Sequence, residues 1–196
     1  MAPGLARAFT DCGNLENPYG PFDYRDPSFA ENLHLVEIAH FTTSVESLIR
    51  GNTAIRPGHD LDYTLRAFPN HHRALNAMAR YQLRFPGGPP PKAHYTAECY
   101  FQRAIRFTPD DEMVYMLRGN YRARSGKYKE ALKDYEKALQ LKPESAEIHY
   151  NLGLLYIKLK DYEKARLHAL RAYQGGFPLP GLRDQLQRLG KWQAKH

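Results

Sequence analysis

Three segments of this chain can be laid on one another at a spacing of 34 residues, and that period limits the fold more than any single residue does. Glu112 to Ser145 reads EMVYMLRGNYRARSGKYKEALKDYEKALQLKPES, and the segment from Ala146 reads AEIHYNLGLLYIKLKDYEKARLHALRAY. Superposed, they align Tyr115 with His149, Gly119 with Gly153, Tyr128 with Tyr162, Ala131 with Ala165 and Ala138 with Ala172. An earlier copy keeps Ala97, Phe101, Ala104 and Pro109 in the phase of Ala131, Tyr135, Ala138 and Pro143. Small residues at fixed offsets suit places where two helices touch closely. A period of this length marks a repeat architecture, in which each unit has one face that only a neighbour can cover.

The offsets of Gly, Tyr, Ala, aromatic, Ala and Pro resemble those of the tetratricopeptide repeat, a helix-turn-helix unit. The resemblance implies an all-α fold: a short solenoid of about three such repeats, closed by a C-terminal capping helix and preceded by an irregular arm with short helices. The corresponding segments are 1–69 for the acidic extension, 70–178 for the repeats (70–111, 112–145 and 146–178) and 179–196 for the cap. In the first repeat, Leu75, Met78 and Ala79 predict a first helix over Arg73 to Phe85. Pro86 to Pro91 is then a six-residue insertion in its turn, because proline and glycine cannot continue a helix. Arg118 and Arg122 depart from the family's Leu and Tyr, and Phe177 departs from its Pro. At the far end Gly175-Gly176 stops the last repeat helix, and Leu182, Leu186 and Leu189 recur at helical spacing, predicting a cap over Pro180 to Gln193.

Ahead of the repeats, DCGNLENPYGPFDYRDP (Asp11 to Pro27) is too rich in Pro, Gly and Asn for a helix. Tyr19, Phe22 and Tyr24 give it anchors, so it reads as an extended arm lying on the repeats. Leu33 to Phe41 reads as a strand or a short helix, with the helix favoured because a lone strand would have nothing to pair with. Thr43-x-x-Glu46 reads as a capping box that opens a short helix ended by Gly51. Asp60 to Phe68 is expected as another helix, broken at Pro69, with Asn70 capping the next.

Composition bounds the function. With 42% hydrophobic and 12% aromatic residues the chain is not wholly disordered. No apolar run approaches the roughly 20 residues of a membrane-spanning helix, so none is expected. Residues 1–69 carry five Lys and Arg against nine Asp and Glu, and residues 70–196 carry 23 against 12, which joins an acidic arm to a basic repeat region. Lys127, Lys129, Lys133 and Lys137 stand among Glu130, Asp134 and Glu136, which is a solvated face of mixed sign and no nucleic-acid stripe. His34, His40, His59 and the His71-His72 pair lack the spacing of a zinc site. Asp60 and Asp62, two apart on a helix, face different ways. No GxSxG elbow, phosphate loop or catalytic cysteine signature occurs, so the chain reads as a non-enzyme without cofactor or metal, with a metal-dependent hydrolase using the N-terminal histidines as the rival. The two cysteines, Cys12 and Cys99, lack metal spacing and are either one bridge or two thiols. Ala6-Arg7-Ala8 has the small-x-small form of a signal-peptidase site, without the apolar stretch that would precede one.

A narrower resemblance rests on CGNLENPYGPFDYRD, DLDYTLRAFPNHHRAL and GFPLPGLRDQL, which are similar to phrases in a group of small exported bacterial tetratricopeptide proteins of no agreed role. It implies a periplasmic location after removal of a leader, against a cytoplasmic alternative, and a Cys12 to Cys99 bridge. From the repeat family, the first helix of each unit is expected to line a concave groove. The positions carried over are Arg73, Asn76, Arg80 and Arg84, then Met113, Met116, Asn120 and Arg124, then Tyr150, Leu154 and Lys158. Arginine forks suit carboxylates and the Asn120 amide suits a peptide backbone. The partner implied is therefore another protein, presenting an acidic or extended segment. Alternatively, the acidic N-terminal arm occupies the groove itself and partners use the convex face.

Overall fold

The computed structural model describes residues 12–193, and the Ala6-Arg7-Ala8 triplet lies outside them. Among the described residues the structure is all-helical. After a 3-10 turn at Pro27–Phe29, ten helices follow: α1 (Ala30–His40), α2 (Thr43–Glu46), α3 (Pro57–Ala67), α4 (His72–Arg84), α5 (Ala97–Phe107), α6 (Glu112–Arg124), α7 (Tyr128–Leu141), α8 (Ala146–Lys158), α9 (Tyr162–Gln174) and α10 (Gly181–Arg188). Among the described residues, no helix is long and apolar enough to cross a membrane. The chain divides into two compact units, Met1–Leu117 and Arg118–His196, the division falling inside α6.

In the N-terminal unit the arm is held as its aromatic residues predict. Phe22 packs on Phe68 with ring centroids 5.3 Å apart, and Tyr24 packs on His71 at 4.3 Å. The Phe22 amide donates to the Ala67 carbonyl at 2.9 Å. Gly20 is required there, since a Cβ would stand 2.5 Å from that carbonyl oxygen and the backbone has φ +102°. A disulfide joins Cys12 to Cys99, 87 residues apart, on α5. Arg103, buried one turn further along α5, donates to the Cys12 and Asn14 carbonyls. Arg106 reaches the Gly13 carbonyl at 2.6 Å. The arm is thus tied by one covalent and several polar links.

Helix termini differ from expectation in instructive ways. The helix expected at Asp60 starts at Pro57, whose fixed φ suits the first helical position. Asn70 does not cap α4. His71 does, its Nδ1 accepting from the Ala74 amide, while Asn70 is buried and bonds Asp23, Asp111 and the Tyr24 amide. The capping box at Thr43 is not formed either: α2 is one turn with Thr42 at its N-cap and no side-chain cap, because Glu46 is drawn to Arg73. That turn ends at Leu48, which takes φ 59°, before Gly51 is reached.

In the C-terminal unit the repeated small residues do what their spacing implies. Ala131, Ala138, Ala165 and Ala172 are fully buried. A Cβ on Gly119 would stand 2.8 Å from the Tyr135 ring, and one on Gly153 would stand 2.4 Å from Leu182. The departures from the family pattern also find partners. Arg118 and Arg122 both bind the buried Asp134, at 2.6 and 3.0 Å, and Phe177 stacks on Tyr150 at 4.2 Å. The cap α10 buries Leu182 and Leu186, and its Arg183 lies over the Tyr173 ring. It ends at Arg188, so Leu189 is exposed and Gly190 takes φ 63°.

One further periodicity was hidden in the sequence. Lys92, Gly126 and Lys160, spaced by 34 residues, all adopt left-handed φ, at 68°, 77° and 61°. The turns before α7 and α9 share a hydrogen-bond pattern as well, whereas the turn at Lys92, after the insertion at Pro86 to Pro91, shares only the left-handed residue.

Candidate functional site

The first-repeat residues lie on α4, and three of them converge on the chain's own α2 segment. Arg73 grips Glu46 with two donors, Nε at 3.0 Å from Oε1 and Nη2 on Oε2, and reaches Glu37 with Nη1 at 3.4 Å. Arg80 donates to the Glu46 carbonyl, and Arg84 to the Leu48 carbonyl at 3.4 Å. Val45 and Leu48 are buried beside these contacts, while Asn76 is exposed. The hydrogen bonds from Arg73 hold the Glu46 carboxyl below its ordinary range. Those from His71 do so for Glu37, with Arg73 adding its charge. The Nε of Arg80 is buried without an acceptor. A single turn of the acidic segment is thus held by a side-chain carboxylate and two backbone carbonyls.

The remaining positions are less uniform. On α6, Met113 is half-buried and Met116 is only 1% exposed, so Met116 belongs to the core. In the C-terminal unit the Asn120 amide oxygen accepts from the Tyr135 hydroxyl at 2.6 Å, and Tyr150 is covered by Phe177. Arg124 and Lys158 are exposed and Leu154 is half-buried. This unit carries seventeen Lys and Arg against eight Asp and Glu. One of the eight, Asp134, is buried between Arg118 and Arg122 and presents little charge outward.

The histidines of the N-terminal unit go to separate partners. His40 meets Asp60 at 3.0 Å, His71 meets Glu37 at 3.0 Å, His72 meets Asp111 at 2.9 Å, and His59 meets the Thr53 hydroxyl at 3.3 Å. His34 is exposed. Among the described residues no three His, Cys, Asp or Glu side chains converge as a metal ion requires. Burial alone would raise the Asp60 carboxyl, but bonds from Thr53, His40 and two backbone amides outweigh it and hold it low. At Asp111 burial is likewise outweighed, here by His72, Asn70 and the charge of Arg25. Burial pushes His71 down against the pull of Glu37, and pushes the Tyr100 phenol up beside Asp62. Asp60 and Asp62 face different ways, as their spacing predicts, and Asp62 binds Tyr100, Arg66 and His94. These pairs anchor helices and the arm.

Asp111 was not singled out by sequence reasoning, yet a signal was present. It stands 34 residues before Ser145, the N-cap of α8, and its carboxylate accepts from the Met113 amide at 3.2 Å near the start of α6.

Comparison with known proteins agrees with this geometry. A family profile described as TPR repeat matches residues 119–160. The peroxisomal targeting signal receptor of Candida glabrata is 36% identical over 77 residues, which cover 39% of this chain and 13% of that protein. The Hsp70-Hsp90 organising protein of Plasmodium falciparum is 43% identical over 49 residues, 25% of this chain and 9% of that protein. The chain thus matches about an eighth or less of the length of these relatives. Among solved structures, the crystal structure of MamA protein superposes with a TM-score of 0.51 at 16% identity, covering 83% of this chain and 91% of that one, a likeness of fold.

Proposed function

Because the repeat segment of this chain is a tetratricopeptide-repeat array, we propose that the protein is a non-catalytic interaction scaffold of the bacterial cell envelope. It takes an acidic or extended segment of a partner protein and assists assembly of a larger complex. The observation that carries the reading is the charge of the C-terminal unit, seventeen basic residues against eight acidic ones, with Arg124 and Lys158 exposed on the first helices of their repeats. Electrostatic complementarity of that kind sets partner choice and association rate more than affinity. The envelope location is supported by the Cys12–Cys99 bridge, since disulfides persist in oxidising compartments.

A second reading concerns the first repeat. The grip of Arg73, Arg80 and Arg84 on Glu46 and Leu48 favours self-occupancy there, by the acidic N-terminal segment, with partners using the convex face. Affinity capture from the source cell separates the two. If the first holds, Arg124→Glu with Lys158→Glu loses the partner and wild-type recovery falls with salt. Unchanged recovery from that double variant rejects the first reading and leaves the convex face.

A further inference from the structure

The α2 segment resembles a bound ligand that fits its own face imperfectly. Residues 42–51 read TTSVESLIRG and run between two fixed points. On one side Phe41 is buried under Arg73, at 5.2 Å from the guanidinium. On the other, the Asn52 and Thr53 amides are held by the Asp60 carboxylate at 2.8 and 3.2 Å. Between these points the polypeptide can leave α4 while both ends stay in place. Of the three arginines only Arg73 meets a carboxylate from this segment. Arg80 and Arg84 meet neutral carbonyls, the Arg84 bond is long, and the buried Nε of Arg80 has no acceptor. A carboxylate offers an arginine two acceptor oxygens and an opposite charge, whereas a backbone carbonyl offers one acceptor oxygen and no net charge. The face is therefore better matched to a segment more acidic than the one it holds.

Deepening the reading of this chain as a protein-interaction scaffold, and resting on it, we propose that residues 42–51 are a built-in competitor on the Arg73, Arg80 and Arg84 face. Their displacing partner is a short protein segment with two apolar side chains in the places of Val45 and Leu48, and carboxylates facing Arg80 and Arg84 as well as Arg73. The partner's apolar residues replace the burial that Val45 and Leu48 give up, so the exchange is decided by the added carboxylates. The internal segment then sets a threshold: weakly acidic peptides do not enter, and multiply acidic ones do.

The test uses the full chain and two labelled peptides, TTSVESLIRG itself and the same peptide with Ser47→Asp and Arg50→Glu, followed by fluorescence anisotropy at low and moderate salt. Glu46→Gln, which keeps the shape of the segment and removes its charge, is expected to bind the acidic peptide at least tenfold more tightly than wild type. Adding Arg80→Glu is expected to abolish that gain. Hydrogen exchange on wild type supplies a readout that needs no variant, since excess acidic peptide should deprotect residues 42–51 and leave α4 protected. Equal affinity of wild type and Glu46→Gln, indifference to Arg80→Glu, or no deprotection of 42–51 overturns the proposal. Should these fail while partner capture still depends on Arg124 and Lys158, the scaffold reading stands and only the competitor falls.

Discussion

In the C-terminal unit the buried alanines of α7 and α9 and the glycines of α6 and α8 stand at repeated offsets, with Gly119 against Tyr135 of α7 and Gly153 against Leu182 of α10. The N-terminal unit is closed by contacts that occur once: the Cys12–Cys99 bridge, Arg103 on the Cys12 and Asn14 carbonyls, Asn70 between Asp23 and Asp111, and His72 on Asp111. These join residues separated by 39 to 91 positions. One region is held by local, periodic packing, the other by long-range polar and covalent ties. Local contacts need little loop closure to form, whereas each single tie depends on the chain having already come together. In the N-terminal unit the first-repeat arginines are also occupied by the α2 segment, whereas Arg124 and Lys158 in the periodic unit are exposed.

The largest expected effect breaks a buried polar node of the periodic unit. Asp134→Ala leaves Arg118 and Arg122 partly buried without that carboxylate and should cost about 3–5 kcal/mol in the C-terminal unit. Chemical denaturation followed by hydrogen exchange should localise the loss to α6–α8. Gly119→Ala comes next, because its methyl would meet the Tyr135 ring at 2.8 Å. Overpacking of that kind costs about 1–3 kcal/mol, offset in part by better helix propensity. The same substitution at the half-buried Gly88, where a Cβ meets nothing within 4 Å, should be nearly silent, and a matched pair of melts compares them.

Acid should separate the units further. His149 and His168 meet through their Nδ1 atoms at 2.9 Å, with His149 Nε2 on the Pro143 carbonyl, so a proton on both Nδ1 atoms would be repelled. Burial, then the charges of His149, Arg171 and Lys164, push His168 down from 6.5 to about 4. The unfolded chain then binds that proton more readily. The stabilisation is complete above about pH 6.5 and is lost as the pH falls towards 4. His168→Gln should flatten this limb in α8–α9, read by pH-dependent exchange. In the N-terminal unit, Asp23 is lowered to about 2, its bonds from Arg25 and Asn70 outweighing burial. Its contribution is present above pH 3.8 and lost towards pH 2. The smallest effect is at the repeat turn: Lys160→Gly relieves a left-handed lysine and should stabilise the C-terminal unit by about 1 kcal/mol or less, since glycine also loosens the unfolded chain.

The same contrast explains what could be read from the sequence. The repeat helices, the insertion after Phe85, the aromatic anchors of the arm and the cap over Leu182 and Leu186 were legible, because each rests on a period or on residues that can do little else. The cysteine bridge followed from resemblance to a family, as two cysteines alone leave both states open. What stayed hidden were pairings with no local signature. Arg118 and Arg122 looked like defects until Asp134 came between them. Asn70 has the composition of a cap, but a long-range partner outcompeted the local one. Glu46 was claimed by Arg73 for the same reason, and the two lysines at left-handed turn positions concealed a repeat that glycine would have announced.

Hydrogen exchange on the full chain, with and without a thiol reductant, tests the division most directly. Opening the Cys12–Cys99 loop of 87 residues should remove about 4 kcal/mol from the N-terminal unit alone. Amides of the arm, α3 and α5 should then lose up to about a thousandfold in protection while α7, α8 and α9 keep theirs. Equal loss in α7–α9, or undiminished protection of the arm and α5, would contradict the account.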